Sequence, residues 1–346
     1  MSNHELQQKL QGSFSSEAHD MLRTFEAKPS LSAKGIGASP GNGLINGQLL
    51  ANGRPLRGCS VELPEGKYVS DANGQVWIPK SGSSVSARIW AATYAGRVLN
   101  GEKFNLAYTQ DVVIPASGSV NVPDENNAFT LSQMMLDALQ KFRNAFPRWK
   151  NLMFSDEGND RIEVSWPDKS YAPLSFTEPT SATGFPLIHY VCDMGNYQLP
   201  PLVTVEHEYA HAIHFSLVPH DIRDWYKLNY IGWILSNPFN ATHDYTKITS
   251  ECVAWVEAWA YFATNQGNLG FVPTTDGSVI EGAIRNLVLD RFPKAASPSD
   301  PRAIQEKFIL SQARTFKEFA AWIASNNPTA YQLLKPLAQS FHISLP

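Results

Sequence analysis

Two histidines and a glutamate lie within five consecutive residues, at a spacing typical of a metal site that does chemistry. His207, Glu208 and His211 form an HExxH motif in the segment 202–215, which lacks proline and glycine and can therefore form one helix. Because four residues advance a helix by about 400°, His207 and His211 point in the same direction and can bind one metal ion. Glu208 lies about 100° further round, where it can accept a proton from a metal-bound water.

The ligand types and the setting of the motif favour zinc. Imidazole and carboxylate groups suit Zn²⁺, and a site with three protein ligands leaves one position open to water. A solvated helix with two surface histidines is the alternative interpretation, but the motif is surrounded by apolar residues such as Val205, Ala212 and Ile213. Burying unpaired polar groups among such residues is costly. We therefore predict one zinc ion per chain.

The third metal ligand is predicted on a second helix, within the segment SECVAWVEAWAYFAT. The extended form of the motif, with another histidine six residues after His211, is absent because position 217 is a leucine. The segment offers Glu251 and Glu257, which lie about 240° apart around a helix, so at most one of them can reach the metal. We favour Glu257 because alanines at positions 254 and 260 would let the two helices approach closely. Glu251 remains the alternative ligand.

The residues from Glu257 to Ala263, EAWAYFA, resemble the E-G-W-A-x-F-A pattern of gluzincin metallopeptidases, the group that includes thermolysin. In that pattern the glutamate is the third zinc ligand. The resemblance covers the two helices, and the strand-rich region before them is similar to the carboxypeptidase-regulatory or transthyretin-like modules found beside some peptidases. It implies a zinc metallopeptidase that hydrolyses peptide bonds in a peptide or protein substrate, with Glu208 as the general base.

The second helix departs from the gluzincin pattern at Tyr261, where such families often have an acidic residue that orients a ligand histidine. The hydroxyl of Tyr261 is one substitute, and the carboxylates of Glu206 and Asp244 are others. Some group of this kind is expected, because ligand histidines are normally held through their other ring nitrogen. Ala258, at a position where the pattern has glycine, is compatible with a helix.

The implied mechanism needs one further hydrogen-bond donor. Zinc would lower the pKa of its bound water, and Glu208 would take the proton as the water attacks the carbonyl and return it to the leaving amine. Gluzincins usually add a histidine or tyrosine that stabilises the oxyanion. The sequence leaves the choice open among His214, His220, His243, Tyr245 and Tyr261.

Composition and periodicity divide the chain into three regions. Residues 1–42 read as a polar tail that ends in a linker rich in glycine, serine and proline. Residues 43–123 contain short apolar segments separated by Asn-Gly turns, which predict hairpins and a small β-sandwich accessory domain. Residues 124–346 change to helical periodicity, with two strand-like segments, and a helical block begins after Pro201. We predict an α+β protein, with the N-terminal small β-sandwich followed by a mainly α-helical domain that is zincin-like by resemblance.

The overall composition is that of a folded protein and says little about partners. Of the 346 residues 43% are hydrophobic, and the net charge of -4 gives no reason to expect nucleic acid as a partner. Cys59, Cys192 and Cys252 form no CxxC pair, so neither a zinc ribbon nor a disulfide framework is expected. We find no signal peptide and no membrane-spanning run, and expect a cytoplasmic protein as synthesised, with signal-independent export left open.

Two other functions fit the same residues. The first is a catalytically inactive binding protein on a zincin fold, which the missing acidic residue at position 261 would allow. The intact motif of His207, Glu208 and His211 argues against it. The second keeps the peptidase chemistry but assigns it to a toxin or effector exported without a signal peptide. The oligomeric state is left open.

Overall fold

The computed structural model describes most of the chain from residue 44 onward. The predicted tail at residues 1–42 lies outside the described residues, as do Cys192, His243 and Asp244. The described residues are 44–79, 83–101, 106–146, 162–168, 175–181, 186–191, 197–237, 245–264 and 273–345.

Strands predominate in the first part of the described chain and helices in the second, which confirms a mixed α+β fold in that order. The strands are β1 (Leu44–Ala51), β2 (Arg54–Pro55), β3 (Ser60–Leu63), β4 (Gly66–Val69), β5 (Gln75–Pro79), β6 (Ser84–Trp90), β7 (Ala92–Thr93), β8 (Gly96–Asn100), β9 (Leu106–Ala107), β10 (Thr109–Pro115), β11 (Ser117–Asn121), β12 (Glu163–Asp168), β13 (Phe176–Glu178) and β14 (Leu187–Val191).

Two sheets form the N-terminal part. In the first sheet, β1 pairs with β11, β2 and β5. In the second sheet the order is β10-β6-β3-β4, and every pair of this second sheet is antiparallel. Strand β6 shows why one face is buried: Val85, Ala87 and Ile89 alternate with exposed residues, as expected for side chains that project to opposite faces of a strand. Both sheets contribute buried residues to the same hydrophobic core.

A third sheet takes strands from both sides of residue 123, the predicted domain boundary. Its order is β13-β14-β12-β8-β7, and β9 also pairs with β8. The central strands β8, β12 and β14 run parallel, whereas β13 pairs with β14 in the antiparallel direction. Gly96 begins β8 with a φ of +152°, and an added Cβ would lie 2.5 Å from the backbone oxygen of Ile162. This close approach requires glycine.

Helices predominate in the C-terminal part, and those at Ala128–Ala145 and Leu202–Leu217 pack against strands of the third sheet. No helix within the described ranges has the length and apolar character needed to cross a membrane. Two π-helical turns interrupt them, at Lys227–Ile231 and at Leu287–Arg291. The helices are α1 (Ala128–Ala145), α2 (Leu202–Leu217), α3 (His220–Tyr226), α4 (Gly232–Ser236), α5 (Glu251–Ala263), α6 (Glu281–Asn286), α7 (Phe292–Ala296), α8 (Pro301–Gln305), α9 (Lys307–Leu310), α10 (Phe316–Asn326) and α11 (Pro328–Gln339).

Helix α1 packs between the third sheet and α2 through an apolar side. Phe129, Met135, Leu136, Leu139 and Phe142 are all buried. The helical block predicted after Pro201 is α2, and it packs against α1, β13 and α5. Ten consecutive or nearly consecutive residues of α2 are buried, so the functional motif lies inside the protein and not on a solvated helix.

Candidate metal centre

Helix α2 presents both histidines of the motif on one side. The Nε2 atoms of His207 and His211 lie 3.1 Å apart. His207 is 7% exposed and His211 is fully buried, so the two imidazoles are removed from bulk water. The predicted helical spacing therefore brings two imidazole nitrogens to one point, as a shared metal ion would require.

Helix α5 supplies a carboxylate to the same point. The Oε2 atom of Glu257 lies 3.1 Å from Nε2 of His207 and 3.3 Å from Nε2 of His211. Glu257 is fully buried. The three side chains form a group that could hold a metal ion, and within the described residues no other group of this kind occurs. A carboxylate buried in this way needs partners such as the two imidazoles or a metal ion, because burying a lone charge is very costly.

The contact between α2 and α5 explains why Glu257 reaches the histidines. The indole Nε1 of Trp259 donates a hydrogen bond of 3.1 Å to the backbone oxygen of Ala210. Ala254, Ala258 and Ala260 are fully buried, and their small side chains allow the helices to approach. Helix α5 itself starts at Glu251 with a capping bond from the amide of Val253 to the hydroxyl of Ser250.

Glu251 is the first residue of α5 and takes part in different contacts. Its carboxylate forms an ion pair with Lys317 on α10, and the hydroxyl of Ser278 lies 3.5 Å from the same oxygen. The first turn of α5 is the place where an acidic side chain is favoured by the helix dipole. The structure therefore brings Glu257, and not Glu251, to the two histidines.

Glu208 contacts the edge strand of the third sheet. The hydroxyl of Thr177 on β13 donates a hydrogen bond of 2.8 Å to Oε2 of Glu208. The same hydroxyl lies 3.0 Å from the backbone oxygen of Glu208, so Thr177 holds both the side chain and the helix at this residue. Glu208 is 3% exposed. Glu208 directly follows His207 in the sequence, but its carboxylate is not part of the cluster of three donors.

Tyr230 is the residue near the centre that the sequence interpretation missed. It lies in the π-helical turn Lys227–Ile231, and its hydroxyl donates a hydrogen bond of 2.7 Å to Oε1 of Glu257. Burial raises the pKa of Tyr230 well above its ordinary value, so the hydroxyl stays protonated and acts as the donor. The dense aromatic stretch before α5 was the available signal, but spacing alone did not distinguish this tyrosine.

The groups expected to orient the ligand histidines lie in different places. The ring of Tyr261 contacts the edge of His207, with 5.3 Å between the ring centres. Glu206 forms an ion pair with Lys141 on α1. Burial lowers the pKa of His207, but the contact with Glu257 outweighs this effect and raises the pKa above its usual value. A buried cation or metal beside Glu257 is thus electrostatically favoured.

The oxyanion candidates are dispersed. His214 is fully buried among aromatic rings that include Phe215 and Trp259, and burial lowers its pKa to about 3. It is therefore neutral at ordinary pH. His220 is exposed and contacts Asp224. The chain segment at Tyr245 lies beside α6 through a backbone hydrogen bond.

Comparisons with known proteins add no assignment. No protein-family model, curated protein or solved structure matches the chain. The function must therefore be inferred from the chemistry of the site. That chemistry consists of a buried cluster of two imidazoles from α2 and one carboxylate from α5. A second buried carboxylate, that of Glu208, directly follows His207 on α2.

Proposed function

We propose that this protein is a zinc-dependent peptidase of the gluzincin type. The observation that carries the proposal is the convergence of the Nε2 atoms of His207 and His211 with Oε2 of Glu257. In the same proposal, the two N-terminal sheets form an accessory β-sandwich and the helical part is a zincin-like catalytic domain. The resemblance of residues 257–263 to the gluzincin pattern agrees with the ligand that the geometry favours.

The spacing of the donor atoms supports zinc as the metal. Tetrahedral zinc with bonds of 2.0–2.1 Å has neighbouring ligand atoms about 3.3–3.4 Å apart. The three separations between donor atoms are 3.1, 3.1 and 3.3 Å, within a few tenths of an ångström of that spacing. Two imidazoles with one carboxylate are also a donor set that zinc accepts while keeping a position free for water or substrate.

Zinc bound in such a site lowers the pKa of water and polarises the substrate carbonyl. The chain supplies the proton transfers. Glu208 takes up a proton at its carboxylate and returns it to the leaving amine, as a general base and then a general acid. Thr177 keeps the Glu208 carboxylate in one orientation, because its hydroxyl contacts Oε2 at 2.8 Å. Burial of the whole cluster excludes bulk water and strengthens these interactions.

Elemental analysis of the purified protein tests the metal. We expect one zinc ion per chain in the wild type, its loss in Glu257→Ala, and its retention in Glu251→Ala. The second variant is the matched control, because it removes a glutamate from the same helix without touching the cluster. Absence of zinc from the wild type, even after reconstitution, would contradict the proposal.

Cleavage of a peptide library tests the reaction. Glu208→Gln should retain zinc and lower the rate of cleavage by about 10²–10⁴-fold, because it removes the proton acceptor and leaves the ligands in place. A wild-type protein that binds zinc but cleaves no peptide would favour the alternative of an inactive zincin-like binding protein. Equal cleavage by the wild type and Glu208→Gln would show that Glu208 is not the base.

A further inference from the structure

We propose that Tyr230 positions Glu257, so that one oxygen of the carboxylate faces the two histidines and the other is held by the tyrosine. This inference rests on the proposed zinc site and extends it to a residue outside the ligand set. Tyr230 is a positioning residue in this account, since it acts through the glutamate and not on a substrate.

The two oxygens of Glu257 have different partners. Oε1 accepts the hydroxyl of Tyr230 at 2.7 Å, whereas Oε2 faces both His207 and His211 at 3.1 and 3.3 Å. A carboxylate can turn about its last bond, and a partial turn would carry the oxygen that faces the histidines away from them. The Tyr230 hydroxyl opposes this rotation, because it donates to the other oxygen and so fixes the plane of the carboxylate.

The surroundings make this orientation rigid. Tyr230 is 1% exposed and Glu257 is fully buried, so water does not compete for either group. The ring of Tyr230 also lies against the ring of His211, with 5.7 Å between the ring centres. The tyrosine therefore contacts both a ligand carboxylate and a ligand imidazole. Such outer contacts typically change metal affinity by about 10–100-fold when removed.

The π-helical turn delivers the tyrosine to this position. Residues 227–231 form one π turn between α3 and α4, and this turn packs against α5. A π turn includes one residue more than an α turn, and such turns are frequent at functional sites. Tyr226, the last residue of α3 and next to the turn, is also fully buried, but its hydroxyl donates to the backbone oxygen of Ala313 at 2.9 Å and not to a metal ligand.

Tyr226 thus provides a matched control for Tyr230. Each tyrosine is buried and donates one hydrogen bond, and each phenylalanine variant loses one oxygen atom while keeping the ring. The experiment measures the zinc affinity of the metal-free full-length protein, by competition with a chromophoric chelator. We expect about 10–100-fold weaker zinc binding in Tyr230→Phe and no more than about a threefold change in Tyr226→Phe.

A double-mutant cycle shows whether the tyrosine acts through the glutamate. Glu257→Ala should weaken zinc binding, and adding Tyr230→Phe should then cause no further loss. An equal loss in both backgrounds would overturn the proposal. So would unchanged zinc affinity in Tyr230→Phe with a lower turnover number, because the hydroxyl would then act on the substrate.

Two further outcomes are informative. Thermal unfolding of the metal-free proteins shows whether each variant folds, and an unfolded Tyr230→Phe beside a folded Tyr226→Phe would show that the hydroxyl holds the fold and not the ligand. This result also overturns the proposal.

A wild type without measurable zinc affinity would contradict the zinc site itself, whereas a wild type that binds zinc as tightly as Tyr230→Phe would contradict this inference alone.

Discussion

Raising the pH from 6.5 to 8.5 should weaken the fold through one buried histidine, His189 on β14. Its Nδ1 lies 2.6 Å from a carboxylate oxygen of Asp168 on β12, and its Nε2 lies 3.6 Å from Glu178 on β13. Lys227 forms an ion pair of 2.7 Å with Glu178, and Phe176 stacks on the imidazole. The protonated imidazole is thus enclosed by two carboxylates at the end of the third sheet.

The size of the effect follows from the pKa of His189. Burial lowers this pKa, but the hydrogen bond to Asp168 and the nearby carboxylate of Glu178 outweigh burial and raise it to about 9. A pKa that is higher in the folded than in the unfolded protein means that protonation stabilises the fold, fully below pH 6.5 and not at all above pH 9. At 1.36 kcal/mol for each pKa unit, the total is about 3 kcal/mol, of which about 2 kcal/mol is lost between pH 6.5 and 8.5.

The assay is urea unfolding of the wild type and of His189→Gln over this pH range, with His220→Gln as the control. His220 is exposed and its removal should leave the pH dependence unchanged. His207 is present in all three proteins, so its contribution cancels in the comparison. The upper limit of pH 8.5 keeps small the contribution of Cys59, whose pKa is raised by burial to about 12 and whose thiol ionises more readily in the unfolded chain. Cys59 is present in all three proteins, so this contribution also cancels in the comparison.

A pH dependence that is the same in the wild type and in His189→Gln would refute this reasoning. It would show that His189 is not protonated in the folded protein, or that the unfolded chain retains the same contacts. A wild type that becomes more stable between pH 6.5 and 8.5 would contradict the sign of the effect.

Two further predictions concern the edge strand and the third sheet. Thr177→Val should lower peptide cleavage about tenfold or more without loss of zinc, since it removes the 2.8 Å bond to Glu208, while Thr177→Ser should restore most of the rate. Gly96→Ala should destabilise the protein by roughly 2–3 kcal/mol in urea unfolding, because its Cβ would meet the Ile162 oxygen at 2.5 Å with a positive φ. Gly66→Ala, whose Cβ would meet only Cε2 of Tyr68 at an ordinary contact distance of 4.0 Å, should change stability by less than about 0.5 kcal/mol.

Several features of the site were predictable because they depend on short-range helical geometry. The rotation of 100° per residue places His207 and His211 together whatever the helix packs against, and the same rotation separates Glu251 from Glu257. Glu257 was favoured as the third ligand because the alanines beside it allow the two helices to approach closely. The structure brings Glu257 to the two histidines. The order of strands before helices likewise follows from local periodicity.

Other features depend on contacts between residues that are far apart in the chain. Thr177 meets Glu208 across 31 residues, and Tyr230 meets Glu257 across 27. No periodicity links such pairs, because a hydrogen bond between elements forms only after the elements have packed.

The third sheet has the same origin. Its strand β8 pairs with β12, although the predicted boundary at residue 123 lies between these two strands. In this pairing Arg97 lies opposite Glu163, which is 66 residues further along the chain. Local patterning identifies each segment as extended, but strand partners are selected by burial and close approach, such as that of Gly96. The helical spacing of the motif was therefore encoded locally, while the residues that support it were brought in by packing.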